Sequence, residues 1–107
     1  MSEPLSVTEN DFDSVVLANP KPTLVDFWGP SCGPCRMLVP VLNALAKIYD
    51  DKALIAKVDV SANQALAAKY EIAAIPALLL FKNGQVVARL AGVQKQSKLQ
   101  ELIDANL

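Results

Sequence analysis

Cys32 and Cys35 are the only cysteines of the chain, three positions apart in the run WGPSCGPC from Trp28 to Cys35. Two thiols so placed can form a structural staple, half of a metal site or a redox centre. Residues three apart on a helix share a face at a Cα separation that a disulfide tolerates, so the sulfurs can join with little movement of the backbone. A staple gains little here, because loop-closure stabilisation grows with loop length. A zinc site normally takes four ligands, and with no histidine and no further cysteine it would need ligands shared between chains or recruited carboxylates. The redox reading has a positive mechanism. Cys32, just ahead of Pro34, falls where unpaired N–H groups and the positive end of a helix dipole favour thiolate over thiol, the form that attacks a disulfide. Cys35, one turn further in, should be more buried and act second, on the mixed disulfide.

That assignment requires a strand and a helix to meet at the pair. TLVDFW, Thr23 to Trp28, is rich in β-branched and aromatic residues and reads as a buried strand. Pro34 suits the first turn of a helix, and Leu38, Val41, Leu42, Leu45, Ile48 and Tyr49 continue at helical spacing, with Pro40 expected to kink the run. Upstream, Thr8 and Asp11 resemble a capping box opening a helix with Phe12, Val15 and Val16 on its apolar face, which NPKP then ends. A short strand is expected near Leu5 to Val7. Downstream, ALIAKVDV, Ala53 to Val60, reads as a strand, and Ser61 with Gln64 as a second capping box opening a helix to about Tyr70. ALLLF and QVVARL flank Asn83-Gly84, a strong hairpin signal, and Leu99, Leu102 and Ile103 mark a last helix, with Leu107 near its end. The pattern predicts an α/β fold: a central mixed sheet of four to five strands flanked by about four helices.

Composition narrows the function. The 107 residues fit a single domain, 1–107, with one core and no linkers or repeats. Hydrophobic residues make up 52% and charged ones 20%, a globular balance that should fold without a staple. Ten Lys and Arg against eleven Asp and Glu leave a net charge of -1 with no basic cluster, which argues against nucleic acid or an anionic membrane as partner. MSEPLSVTENDF has neither a basic n-region nor an apolar h-region, and Pro76 interrupts the longest apolar run, IAAIPALLLF, so the expectation is a cytoplasmic protein without a membrane span. A reducing cytoplasm disfavours lasting disulfides and tilts the pair toward metal binding or catalysis. The small charge and the lack of an apolar stripe outside the core suggest a monomer.

Several residues near the pair have both a functional and an ordinary reading. Asp26 is a carboxylate within LVDFW, where burial should raise its pKa toward the range of a proton carrier, unless it is a structural Asp bonded to a nearby loop. Lys57, between Ala56 and Val58 on the next strand, reads as a lysine with a buried stem and a solvated ammonium. Trp28 reads as a core aromatic, Gly92 as a turn glycine, and Pro76 as trans, since only about 5% of X-Pro bonds are cis.

VDFWGPSCGPC, with Ile75-Pro76, LFKNG at residues 80–84 and Gly92, resembles the thioredoxin family over essentially the whole chain. The resemblance implies a thioredoxin fold and thiol–disulfide exchange through a reversible Cys32-Cys35 pair. It implies disulfide-containing protein substrates, no bound cofactor or metal, and recharging by a thioredoxin reductase that draws on NADPH. It makes Asp26 the proton carrier for Cys35, with Lys57 beside it, and sets Trp28 against the disulfide loop. It also turns Pro76 to cis facing the cysteines, and frees the Ile75 backbone to pair with an extended substrate segment beside Gly33, Pro34 and Gly92. The chain has no Gly-rich nucleotide loop, so NADPH would bind the reductase.

The chain departs from the family at Ser31, where tryptophan is usual, and at Glu71, Ala73, Ala74 and Ala77, where glycine, a basic residue or threonine is common. Loss of an exposed aromatic at Ser31 should weaken or redirect docking and leave the sulfur chemistry intact. Two rivals stand beside the reductase: an oxidase or isomerase that donates its disulfide, and a binding module whose cysteines matter little. Gly33-Pro34 between the cysteines accompanies the reducing members, whereas Ser31 keeps the binding module open.

Overall fold

In a computed structural model of the protein, which describes residues 3–107, five strands form one sheet in the order β1-β3-β2-β4-β5. Met1, with which the N-terminal stretch begins, and Ser2 lie outside the described residues. Strands β1 (Leu5–Ser6), β3 (Leu54–Asp59) and β2 (Thr23–Trp28) run parallel, and β4 (Ala77–Lys82) and β5 (Gln85–Ala91) complete the sheet antiparallel. Three α-helices cover it, α1 (Gly33–Ile48), α2 (Gln64–Lys69) and α3 (Gln96–Asp104), together with one π-helical turn, Asp13–Leu17. The predicted element order and both faces of the sheet are as the sequence implied. None of the described helices is long and apolar enough to cross a membrane.

Period-two alternation divides the core. Val25 and Phe27 of β2, Ala56 and Val58 of β3, and Leu79 and Phe81 of β4 meet Phe12, Val16 and Leu66 on one face. Leu24, Ile55, Leu78 and Leu80 point the other way, against Leu38, Leu42 and Leu45 of α1 and Leu99 and Ile103 of α3. Asp26, two residues after Leu24, therefore belongs to the α1 face. The buried stripe of α1 is Cys35, Leu38, Leu42, Leu45 and then Tyr49 just past its end, at alternating spacings of three and four. Ile48 falls at the margin of that arc and is 46% exposed, contrary to its expected place in the core, because Tyr49 takes the inward position. The Tyr49 hydroxyl donates to the Asp104 carboxylate at 2.7 Å, tying α1 to α3.

The first helix is shorter than its apolar pattern suggests. The Asp11 carboxylate does accept the Thr8 N–H at 2.8 Å, and Phe12 and Val16 are buried, but only one π-helical turn follows before Pro20 and Pro22 end the donor ladder. The second capping box does not form. The Ser61 hydroxyl and N–H both turn to the Asp59 carboxylate, at 2.7 and 2.9 Å, a charge-assisted pairing that outcompetes a helix N–H. Helix α2 starts instead after Asn63. The Asn83-Gly84 hairpin is as expected: both residues have positive φ, 53° and 78°, the type I′ geometry that matches strand twist.

Asn63 also joins two distant segments. Only 4% exposed, it donates through Nδ2 to the Asp59 carbonyl at 3.0 Å and accepts the Glu9 N–H through Oδ1 at 2.9 Å. Asn63→Ala leaves the Glu9 N–H without its partner, while the Asp59 carbonyl still accepts the Ala62 N–H at 3.3 Å, and is expected to cost about 1 kcal/mol. Urea unfolding with an unchanged m-value is the measurement, and a loss below about 0.5 kcal/mol would show that the bridge is not a structural tie.

Candidate active site

The cysteines sit where β2 hands over to α1. After Trp28 the chain turns through Gly29, Pro30 and Ser31, closed by the Cys32 N–H donating to the Gly29 carbonyl at 3.2 Å. Cys32 is the N-cap of α1, and its Sγ accepts the Cys35 N–H at 3.2 Å, taking the place that a serine or aspartate oxygen holds at other helix starts. The two cysteines are joined as a disulfide with a Cα–Cα separation of 5.3 Å. Cys35 begins the buried stripe of α1 and is 5% exposed, whereas Cys32, at the cap, is half-buried. The order of accessibility expected from spacing alone is present.

Asp26 lies beneath the pair. It is 2% exposed, and its Oδ1 has no hydrogen-bond partner. Burial pushes its pKa up to about 7, against a smaller opposing pull from the Lys57 ammonium. Lys57 is the register partner of Asp26 across β2 and β3, and its Nζ stands 5.5 Å from the centre of the Trp28 ring. A cavity of about 120 Å³ connects these groups: Asp26, Cys35, Trp28 and Lys57 line it with Pro30 and Arg36. That volume is roomy enough for ordered water between the carboxyl and Cys35. A structural Asp bonded to a neighbouring loop, the ordinary alternative, would have its oxygens satisfied.

On the outer side, Ser31, Cys32, Pro34, Ser61 and Ile75 line an open groove of about 500 Å³. The Ile75–Pro76 peptide is cis, and the Pro76 carbonyl accepts the Gly92 N–H at 2.8 Å, which seats Gly92 beside the proline. A Cβ on Gly92 would have open space around it. Its φ of +82°, rather than room for a neighbour, is what calls for glycine there. Gly33 and Pro34 are exposed at the rim, as is Ser31. The segment Glu71 to Ala74 lies on another cavity, of about 330 Å³, with Arg89 of β5, whose guanidinium donates to the Tyr70 carbonyl.

Two residues near the pair escaped the sequence reading. A Cβ on Gly29 would come within 2.8 Å of the Ile75 side chain, so this glycine lets the β2 exit approach the segment before Pro76. Its only sequence signal is a glycine directly after a strand. Arg36 donates to the Pro30 carbonyl at 3.3 Å, a contact for which an exposed arginine on a helix carries no sequence signal. Among the described residues, no group of three or more His, Cys, Asp and Glu could hold a metal ion.

Comparison with known proteins accords with this geometry. The thioredoxin family model matches residues 3–105. A thioredoxin of Staphylococcus epidermidis is 48% identical over 103 residues, covering 96% of this chain and 97% of the relative. A thioredoxin of Haemophilus influenzae is 45% identical over 107 residues, the full length of both chains. Among solved structures, a mutant thioredoxin from Halobacterium salinarum superposes with a TM-score of 0.89 at 40% identity, covering 98% of this chain and 91% of that one. The capping cysteine, its buried partner and the full-length likeness lead to one conclusion: this chain belongs to the thioredoxin family, and it is a thiol–disulfide oxidoreductase that reduces protein disulfides without a bound cofactor.

Proposed function

We propose that the chain, acting as one domain, 1–107, reduces protein disulfides by a sequence in which Cys32 attacks and Cys35 resolves. The observation that carries this reading is the Cys32 Sγ at the helix N-cap, facing the Cys35 N–H, a position that stabilises negative charge on sulfur. In the reduced protein the Cys32 thiolate attacks one sulfur of the substrate disulfide. A Cys32–substrate S–S bond forms, the substrate S–S bond breaks, and the first substrate thiolate leaves. Cys35 gives its proton to the Asp26 carboxylate across the cavity, and the resulting thiolate attacks Cys32 Sγ. The Cys32-Cys35 disulfide forms, the second substrate thiolate departs with a proton, and two electrons have passed to the substrate. A carboxyl with a pKa of about 7 suits this transfer, since it can both accept and return a proton near neutrality. Lys57 restrains the rise in that pKa, and Trp28 packs over the Lys57 ammonium and walls the cavity.

The groove beside Cys32 takes an extended substrate segment, paired with the Ile75 backbone and lying along Ser31, Gly33 and Pro34, with Pro76 and the Gly92 bonded to its carbonyl continuing the surface past Ile75. A thioredoxin reductase using NADPH restores the dithiol, and the protein works as a monomer in the cytoplasm. The test is the equilibrium reduction potential of the Cys32-Cys35 pair in a defined thiol buffer, followed by Trp28 fluorescence. A value well below that of the glutathione pool is expected, with each ~30 mV equal to about 1.4 kcal/mol of reducing power. A value at or above that pool would turn the direction of the reaction around and make the protein a disulfide donor.

A further inference from the structure

The cavity beneath the disulfide has a buried floor and a narrow exposed rim. Asp26, Gly29, Cys35 and Leu42 form the floor, and Trp28 and Lys57 are half-buried at its sides. Only Pro30, Arg36 and Val39 of its lining are exposed. The hydrogen bond from the Arg36 guanidinium to the Pro30 carbonyl, 3.3 Å long, spans that rim from helix to loop. We propose that Arg36 is a positioning residue that closes the Asp26–Cys35 cavity against bulk water. Its long apolar stem covers the opening, and its guanidinium fastens that cover to the loop that leads into Cys32.

Two effects of Arg36 on the carboxyl have opposite signs, which makes the role testable. As a cation it favours the carboxylate, as a cover it disfavours it, and burial is the larger of the two causes acting on Asp26. The other groups facing Asp26 are Lys57 from β3, Cys35 from α1 and the apolar Leu78 from β4, so no second carboxylate confuses the titration. Closure therefore predicts that Arg36→Ala lets water in and lowers the Asp26 pKa, even though a positive charge has been removed. Arg36→Met keeps a cover of similar length without the charge, and should leave that pKa where it is or raise it.

The experiment is direct titration of the Asp26 carboxyl by carbon NMR in the oxidised protein, for the parent, Arg36→Ala and Arg36→Met. A fall by about one pH unit in Arg36→Ala with no fall in Arg36→Met supports closure. No change or a rise in Arg36→Ala overturns it, and so does an equal fall in both variants, which would mark a general loosening of the loop. The bearing of Arg36 on turnover rests on the proton role given to Asp26 above, whereas the closure does not. In the pH profile of disulfide reduction the lower limb should move with the carboxyl. A carboxyl that shifts while that limb stays fixed would uphold closure and refute Asp26 as the proton carrier.

Discussion

Cys35→Ser is expected to halt the protein after a single event and leave the substrate covalently bound to Cys32. With the second sulfur gone, nothing within the chain can displace the mixed disulfide, since Cys32 and Cys35 are its only cysteines. Mass spectrometry should find a one-to-one adduct. Cys32→Ser should form no adduct and lose activity by at least about a thousandfold, because a serine hydroxyl at neutral pH is a poor nucleophile without an adjacent base. Both variants should stay folded: the bridge closes a very short loop, worth about 2 kcal/mol or less in chain entropy, and Cys32 is not part of the apolar core. Circular dichroism checks that condition. Retained disulfide reduction by Cys32→Ser would end the redox reading in favour of a binding module.

Asp26→Asn is expected to change how stability depends on pH. Burial raises the folded-state pKa from 3.8 to about 7, so between those values the folded chain holds a proton that the unfolded chain has released. The contribution is complete below about pH 4 and is lost as pH rises through about 7. At about 1.4 kcal/mol per pH unit, the full loss is of order 4 kcal/mol. Asparagine cannot ionise, so the stability of Asp26→Asn relative to the parent should grow by about 4 kcal/mol between pH 4 and pH 8, whatever constant offset the amide brings. Urea unfolding at several pH values measures it. A difference that stays constant across that range would mean that Asp26 is solvated in the folded protein. The same substitution should slow resolution by Cys35, a trade of activity for stability common at buried proton carriers.

Features written in local chemistry were legible before any coordinates. Asn83-Gly84 specifies its turn through its own backbone preferences, and Cys32-x-x-Cys35 with Pro34 marks a helix start because cap geometry spans only four residues. The buried carboxylate at Asp26 stood out as a charge inside an apolar strand. What could not be read depends on competition or on distance. Ser61 looked like a cap until the Asp59 carboxylate, two residues back, claimed it. Asn63 fell within the helix expected to open at Ser61, and one of its partners lies 54 positions away. Arg36 is exposed and charged on a helix, the commonest surface pattern there is, and its place on a cavity rim exists only once α1 lies across β2. The orphaned oxygen of Asp26 is likewise a property of the packing around it.

The division of the core by the sheet has a bearing on how this protein can change. The cluster of Phe12, Phe27, Tyr70 and Phe81, with ring centres 5.3 to 6.4 Å apart, lies on the face of the sheet away from Asp26 and α1. Groups that share no partners contribute nearly additively. Sequence drift at Phe12, Tyr70 and Phe81, though not at Phe27, which directly follows Asp26 in β2, can therefore raise or lower tolerance to heat without disturbing the protonation of the carboxyl or the sulfur pair. Lineages living at different temperatures can adjust one half of the molecule while inheriting the redox half unchanged.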